Sequence, residues 1–83
     1  MLATKILLIE DDEEDYLLLQ KLLKRITNTH YELACEASYE AGLSQMLKNE
    51  HALCMVDYRL GARNGIELLK EARARGYSRP IVI

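Results

Sequence analysis

The chain has 83 residues, of which 49% are hydrophobic and 29% charged, with a formal net charge of -2. That length suits one small domain, residues 1–83, and the composition is ordinary for a soluble globular protein. A slightly acidic chain offers no basic surface for nucleic acid, and no apolar run approaches the roughly 20 residues of a membrane span.

Met1 to Ile9 holds one lysine and then meets acids, so it does not read as a signal peptide. The expected location is the cytoplasm. Lys5-Ile6-Leu7-Leu8-Ile9 is a continuous apolar run, the pattern of a strand buried on both faces of a parallel sheet. It runs into Glu10-Asp11-Asp12-Glu13-Glu14-Asp15. The later acids suit the first turn of a helix, with Asp12 as N-cap and Glu13, Glu14 and Asp15 at the positive end of the dipole. Glu10 and Asp11 are left over at the strand end. From Glu13 to Ile26, Tyr16, Leu19, Leu22, Leu23 and Ile26 recur at three and four, which predicts an amphipathic helix with these residues inward. Lys24 and Arg25 suit its C-terminal end, and Thr27 to His30 form a loop.

Tyr31 to Ala37 alternates, with Tyr31, Leu33, Cys35 and Ala37 on one face and Glu32, Ala34 and Glu36 on the other. Alternation predicts a half-exposed strand at a sheet edge. Ser38 is a good N-cap for a helix from Tyr39 to about Asn49, with Ala41, Leu43, Met46 and Leu47 available for packing. Gly42 inside it costs about 1 kcal/mol relative to alanine, so this is the weaker helix. Leu53-Cys54-Met55-Val56 is a second continuous apolar strand, and it ends at Asp57. On that stretch alone, an aspartate that starts a turn is an equal alternative to a ligand-binding one. Tyr58 to Gly65 reads as a loop. Asn64 and Glu67 then resemble a capping box for a helix to about Arg75, with Leu68, Leu69 and Ala72 inward and Gly76 ending it. Tyr77 to Arg79 is a loop, and Pro80 to Ile83 begins a fourth apolar strand.

The order is βαβαβαβ. Strands joined by helices are parallel with right-handed crossovers. Central places for the two continuous strands and an edge for the alternating one give the order 2-1-3-4, an α/β doubly wound sheet. Cys35 and Cys54 then flank the first strand, roughly 9–10 Å apart. A disulfide needs Cα atoms within about 7 Å, so both cysteines are expected to be free. His30 and His51 sit in or beside predicted loops and are expected at the surface.

In that order strands 1 and 3 are neighbours at the topological switch point, where open α/β sheets bind ligands. Their carboxyl ends carry Glu10, Asp11 and Asp57. Three such carboxylates repel one another, and protonation or a cation must relieve them. A hard divalent ion, Mg²⁺ or Mn²⁺, suits an all-oxygen donor set. A carboxylate beside a metal can act as nucleophile toward a phosphoryl group. Asp57 is the better candidate, alone on the central strand and facing the pair.

Lys5 to Asp12, then Met55-Val56-Asp57-Tyr58-Arg59-Leu60, then Asn64-Gly65 resemble the motifs of a response-regulator receiver domain, with a glycine eight residues after the aspartate. The resemblance covers the whole chain. It implies the flavodoxin-like fold and a phosphoacceptor role in two-component signalling, with no enzyme activity of its own. Asp57 would accept a phosphoryl group from a histidine kinase or phosphotransfer protein. Asp11, Asp57 and the backbone carbonyl of Arg59 would ligate the metal, and Glu10 would act through a metal-bound water. Receiver domains have five βα units, so the chain reads as truncated within its fourth strand. The Ser or Thr that usually ends strand 4 and the Lys that usually ends strand 5 have no counterpart. Gly61 stands where the family commonly has proline, which leaves that loop freer.

Two other functions are compatible with the residues. One is a truncated, non-phosphorylated interaction module that self-associates through the exposed edge of the fourth strand. The other is a metal-dependent phosphohydrolase. Those enzymes commonly carry a second aspartate two residues after the nucleophile, where this chain has Arg59.

Overall fold

The computed structural model describes residues 3–83. Met1 and Leu2, the start of the segment judged not to be a signal peptide, lie outside the described residues. The elements are β1 (Thr4–Ile9), α1 (Glu13–Lys24), β2 (Tyr31–Glu36), α2 (Tyr39–Leu47), β3 (Leu53–Val56), β4 (Arg59–Leu60), β5 (Arg63–Asn64), α3 (Gly65–Ala74) and β6 (Ile81–Val82). The main sheet is parallel with the order β2-β1-β3-β6. This is the expected 2-1-3-4, because β4 and β5 form a separate antiparallel pair.

That hairpin is the first departure from expectation. The segment after Asp57 reads as a loop, freed by Gly61. In the fold, Arg59 pairs with Asn64 and Leu60 with Arg63. Gly61 takes φ +65 at the first central position of the two-residue turn. Glycine there suits the tight hairpin turns whose twist matches the strands. Leu60 is buried and ties the hairpin to the core. Gly61 therefore permits order at this point.

The register divides the sheet into two faces. Leu7, Ile9, Cys54, Val56 and Ile81 point one way, and α2 and α3 cover them with Leu43, Met46, Leu68 and Ala72. Ile6, Leu8, Leu33, Cys35, Leu53, Met55 and Val82 point the other way, toward the side of α1. Cys35 and Cys54 lie on opposite faces with β1 between them, and both are free.

The three N-caps fall where the sequence places them. Asp12 accepts the Glu14 N–H at 2.9 Å, Ser38 the Ala41 N–H at 3.2 Å and Asn64 the Glu67 N–H at 2.9 Å. The Glu67 carboxylate accepts from the Asn64 side-chain amide at 3.1 Å, where a capping box would use the backbone N–H of the cap residue. Helix α3 ends in a Schellman motif. Gly76 takes φ +94, and the Tyr77 N–H reaches the Ala72 carbonyl at 2.9 Å.

Two inward faces differ from the periodicity. In α1, Tyr16, Leu19, Gln20 and Leu23 are half-buried and Leu22 is exposed, while Ile26 lies past the end of the helix and is exposed. The helix lies against β2, so only a narrow stripe of it meets the sheet. In α2, Leu47 is exposed and Tyr39 and Gly42 are buried instead. Tyr77, read as a loop residue, also enters the core.

Candidate functional site

Register delivers the site. Ile9 of β1 is opposite Val56 of β3, so the residues that leave those strands emerge side by side. The Asp57 N–H donates to the Ile9 carbonyl at 2.9 Å, and the Glu10 N–H donates to the Glu36 carbonyl at 3.0 Å. Both residues are thus held by backbone bonds before their side chains do anything. One carboxylate oxygen from each of Glu10, Asp11 and Asp57 comes within 4.8 Å of the others. Asp12, next in sequence, turns away to cap α1.

The charges are crowded. Burial pushes the Glu10 carboxyl up from its usual range, the Asp12 backbone N–H opposes that, and the charges of Asp57, Asp15 and Asp11 add to the rise. The ion pairs among the described residues lie elsewhere, on Arg63, Glu67, Glu71 and Arg75. Asp11 is exposed and Asp57 half-buried, so the cluster opens to solvent.

The segment beyond Asp57 is anchored at its far end. The Gly65 N–H donates to the Tyr58 carbonyl at 2.7 Å. A Cβ on Gly65 would sit 2.9 Å from the Asp57 carbonyl oxygen and 3.2 Å from Val56 Cγ1. Glycine at the start of α3 is what lets the helix approach the end of β3 this closely. Arg59, whose carbonyl the resemblance assigns to the metal, lies in β4 within the paired hairpin.

No family model matches the chain. Protein RcaC of Microchaete diplosiphon is 37% identical over 79 residues, which is 95% of this chain and 12% of that protein. Response regulator ArlR of Staphylococcus haemolyticus (strain JCSC1435) is 32% identical over 80 residues, 96% of this chain and 35% of that protein. The chain is a response-regulator receiver domain. It spans a minor part of the length of those two relatives. In fold it matches the MaeR response regulator bound to beryllium trifluoride, with a TM-score of 0.82 at 22% identity over 95% of this chain and 64% of that one.

Two features of this receiver domain were not foreseen in the sequence. The first is a polar network between α2, the hairpin and α3. The buried Tyr39 hydroxyl donates to Glu71 Oε1 at 2.6 Å, and the Arg63 guanidinium stacks 3.8 Å over the Tyr39 ring. Arg63 also pairs with Glu67 at 3.2 Å and with Glu71 at 3.8 Å. Burial and the bond to Glu71 push the Tyr39 hydroxyl up to about 12. The spacing of Arg63, Glu67 and Glu71 was visible, four apart, but their common partner comes from another helix.

The second is His51. Expected at the surface, it is buried beside the start of β3, and its Nδ1 has no hydrogen-bond partner. Burial lowers its pKa; Glu50 favours the charged form and Lys5 opposes it. The unfolded chain therefore takes up a proton near the ordinary value of about 6.5, while the folded one resists until lower pH. More protons on the unfolded state means stability that is present above that value and falls as pH drops through it. Urea midpoints should decline from neutral pH toward about pH 5.5. The His51→Leu chain should show a flatter profile over that window, and equal slopes for the two chains would count against this account.

Proposed function

We propose that this receiver domain is a phosphoacceptor of a two-component system, with Asp57 as the residue that carries the phosphoryl group. The observation that supports this most is the convergence of Glu10, Asp11 and Asp57 at the switch point of the sheet. Three carboxylates drawn together with no cationic side chain paired to them suit a hard divalent ion. Glu10, Asp11, Asp57 and the Arg59 carbonyl would hold Mg²⁺ or Mn²⁺. When bound, the ion neutralises charge between the acceptor and the incoming phosphoryl group.

In the transfer, an Asp57 carboxylate oxygen attacks phosphorus of a phosphohistidine on a histidine kinase or phosphotransfer protein. An O–P bond forms, the N–P bond breaks, and the imidazole leaves with the electron pair and takes up a proton. Asp57 is held for this by its N–H on the Ile9 carbonyl and by the packing of Gly65 behind it. The domain itself is a recipient and not an enzyme. Among the described residues no helix is long and apolar enough to cross a membrane, and the function proposed places the domain in the cytoplasm.

Acetyl phosphate with Mg²⁺, followed by intact mass and peptide mapping, tests the reading. One phosphoryl group should appear on the Asp57 peptide and be absent from Asp57→Asn. Label that persists in that variant, or wild-type chain that stays unmodified, would overturn it.

A second reading is favoured by the far edge of the sheet. The outer side of β6 is unpaired among the described residues. On the face toward α1, Leu53 and Met55 are only half-buried, and Val82 is 50% exposed. An open edge beside apolar surface is a template for pairing with another chain. The 83-residue chain should therefore self-associate through β6. Light scattering across a concentration series should show the mass rising for wild type and less so for Val82→Lys, since an edge charge opposes pairing. A monomer at every concentration would dispose of the idea.

A further inference from the structure

The polar network beside the site has no part in the proposed transfer, yet it holds the one segment that links Asp57 to α3. The hairpin is short, two residues on each side, and a two-stranded ribbon of that size is not stable by itself. Leu60 anchors one of its strands in the core. The opposite residue, Arg63, reaches out of the hairpin to both helices. Its guanidinium lies over the Tyr39 ring of α2 and pairs with Glu67 and Glu71 of α3. Tyr39 and Glu71 are themselves joined at 2.6 Å, so the surface that Arg63 docks on is fixed. Arg63 stands one ladder position from the Arg59–Asn64 pair.

We infer that Arg63 is a positioning residue for the cation site, a latch that clamps the β4–β5 hairpin between α2 and α3 and so fixes the backbone that follows Asp57. This rests on the metal-site reading above. Arg63 does not touch the carboxylate cluster. It acts by limiting the conformations of Arg59, two residues past Asp57, and of Asn64, the N-cap of α3. An unlatched hairpin must be ordered again each time a cation binds, and that ordering weakens binding. Arginine suits the task because one planar group can stack on an aromatic ring and pair with two carboxylates together.

The test is Mn²⁺ titration of the 83-residue chain by calorimetry, with thermal melts of the metal-free proteins alongside. Arg63→Gln should weaken Mn²⁺ binding about fivefold, a size in keeping with partly exposed cation–π and ion-pair contacts, with little change in the metal-free midpoint. Tyr39→Phe keeps the ring and should bind Mn²⁺ nearly as wild type does. Tyr39→Leu should resemble Arg63→Gln, and the double variant should be no weaker than either alone. Amide exchange at Gly65, whose N–H closes the hairpin on Tyr58, should quicken in Arg63→Gln without metal. Wild-type affinity in Arg63→Gln, or additive losses in the double variant, would overturn the latch and leave the metal site standing. Wild-type chain that binds no Mn²⁺ would overturn the metal site and the latch with it, whatever the exchange data show.

Discussion

Magnesium at about a hundred times its dissociation constant should raise the thermal midpoint of the wild-type chain by roughly 10–20 °C and leave Asp57→Asn nearly unmoved. A ligand that binds only the folded state stabilises it by mass action. At that ratio the gain is about 2.7 kcal/mol, and each 1 kcal/mol is worth roughly 4–8 °C in a domain of this size. Without metal, the folded state starts from a disadvantage. Folding brings Glu10, Asp11 and Asp57 within 4.8 Å of one another and pushes the Glu10 carboxyl upward by burial and by its neighbours' charges. The unfolded chain suffers neither. Without metal, then, Asp11→Asn and Asp57→Asn should melt above wild type, because each removes a repelling charge. With metal the order should reverse. Scans of the three proteins, with magnesium and with a chelator, decide it. If the variants melt below wild type in chelator, the carboxylates are not strained in the way described here.

The topology was readable because it rests on burial and on punctuation. Three uninterrupted apolar runs, one alternating run and three capping residues define four strands and three helices, and each cap is found in place. The trio of acids followed from the order of strands, since only that order puts Glu10 and Asp57 on adjacent ends. Features that depend on pairs of elements were not readable in this way. Periodicity marks a helix face, but it cannot say how much of that face a sheet will cover, so Leu22 and Ile26 were assigned inward and are exposed. His51 was judged by its place beside a predicted loop, whereas β1 and β2 crowd the same spot in space; Lys5, Glu32 and Glu50 share its surroundings. Tyr39 was taken only as the first residue of a helix, because nothing local marks it as the platform for Arg63 and the partner of Glu71. Gly61 was weighed as freedom for a loop, and the short hairpin it allows became visible only with Arg59 and Asn64 in register.

Replacing Gly42 by alanine should destabilise the domain, although alanine is the better helix former. Helix propensity alone favours the change by about 1 kcal/mol. Packing opposes it. A Cβ at position 42 would lie 2.5 Å from Ile9 Cδ1 and 2.9 Å from both Ile9 Cγ1 and Cγ2. Ile9 is fully buried and branched at Cβ, so its side chain has no free space to turn into. Overpacking of this kind costs about 1–3 kcal/mol, and Gly42→Val, with two more methyl groups, should cost more. Gly42 is therefore the point where α2 is drawn down onto β1, one residue before Glu10 leaves the strand. The size of the clash also predicts its cure. Ile9→Val deletes the methyl in closest contact and by itself costs about 0.5–1.5 kcal/mol. Combined with Gly42→Ala it should cost less than the two single changes added together, because the space vacated is the space required. Urea unfolding of wild type, both single variants and the double variant completes the cycle. Strict additivity, or a Gly42→Ala chain as stable as wild type, would show that α2 can move off Ile9 freely and that its glycine is an accident of composition.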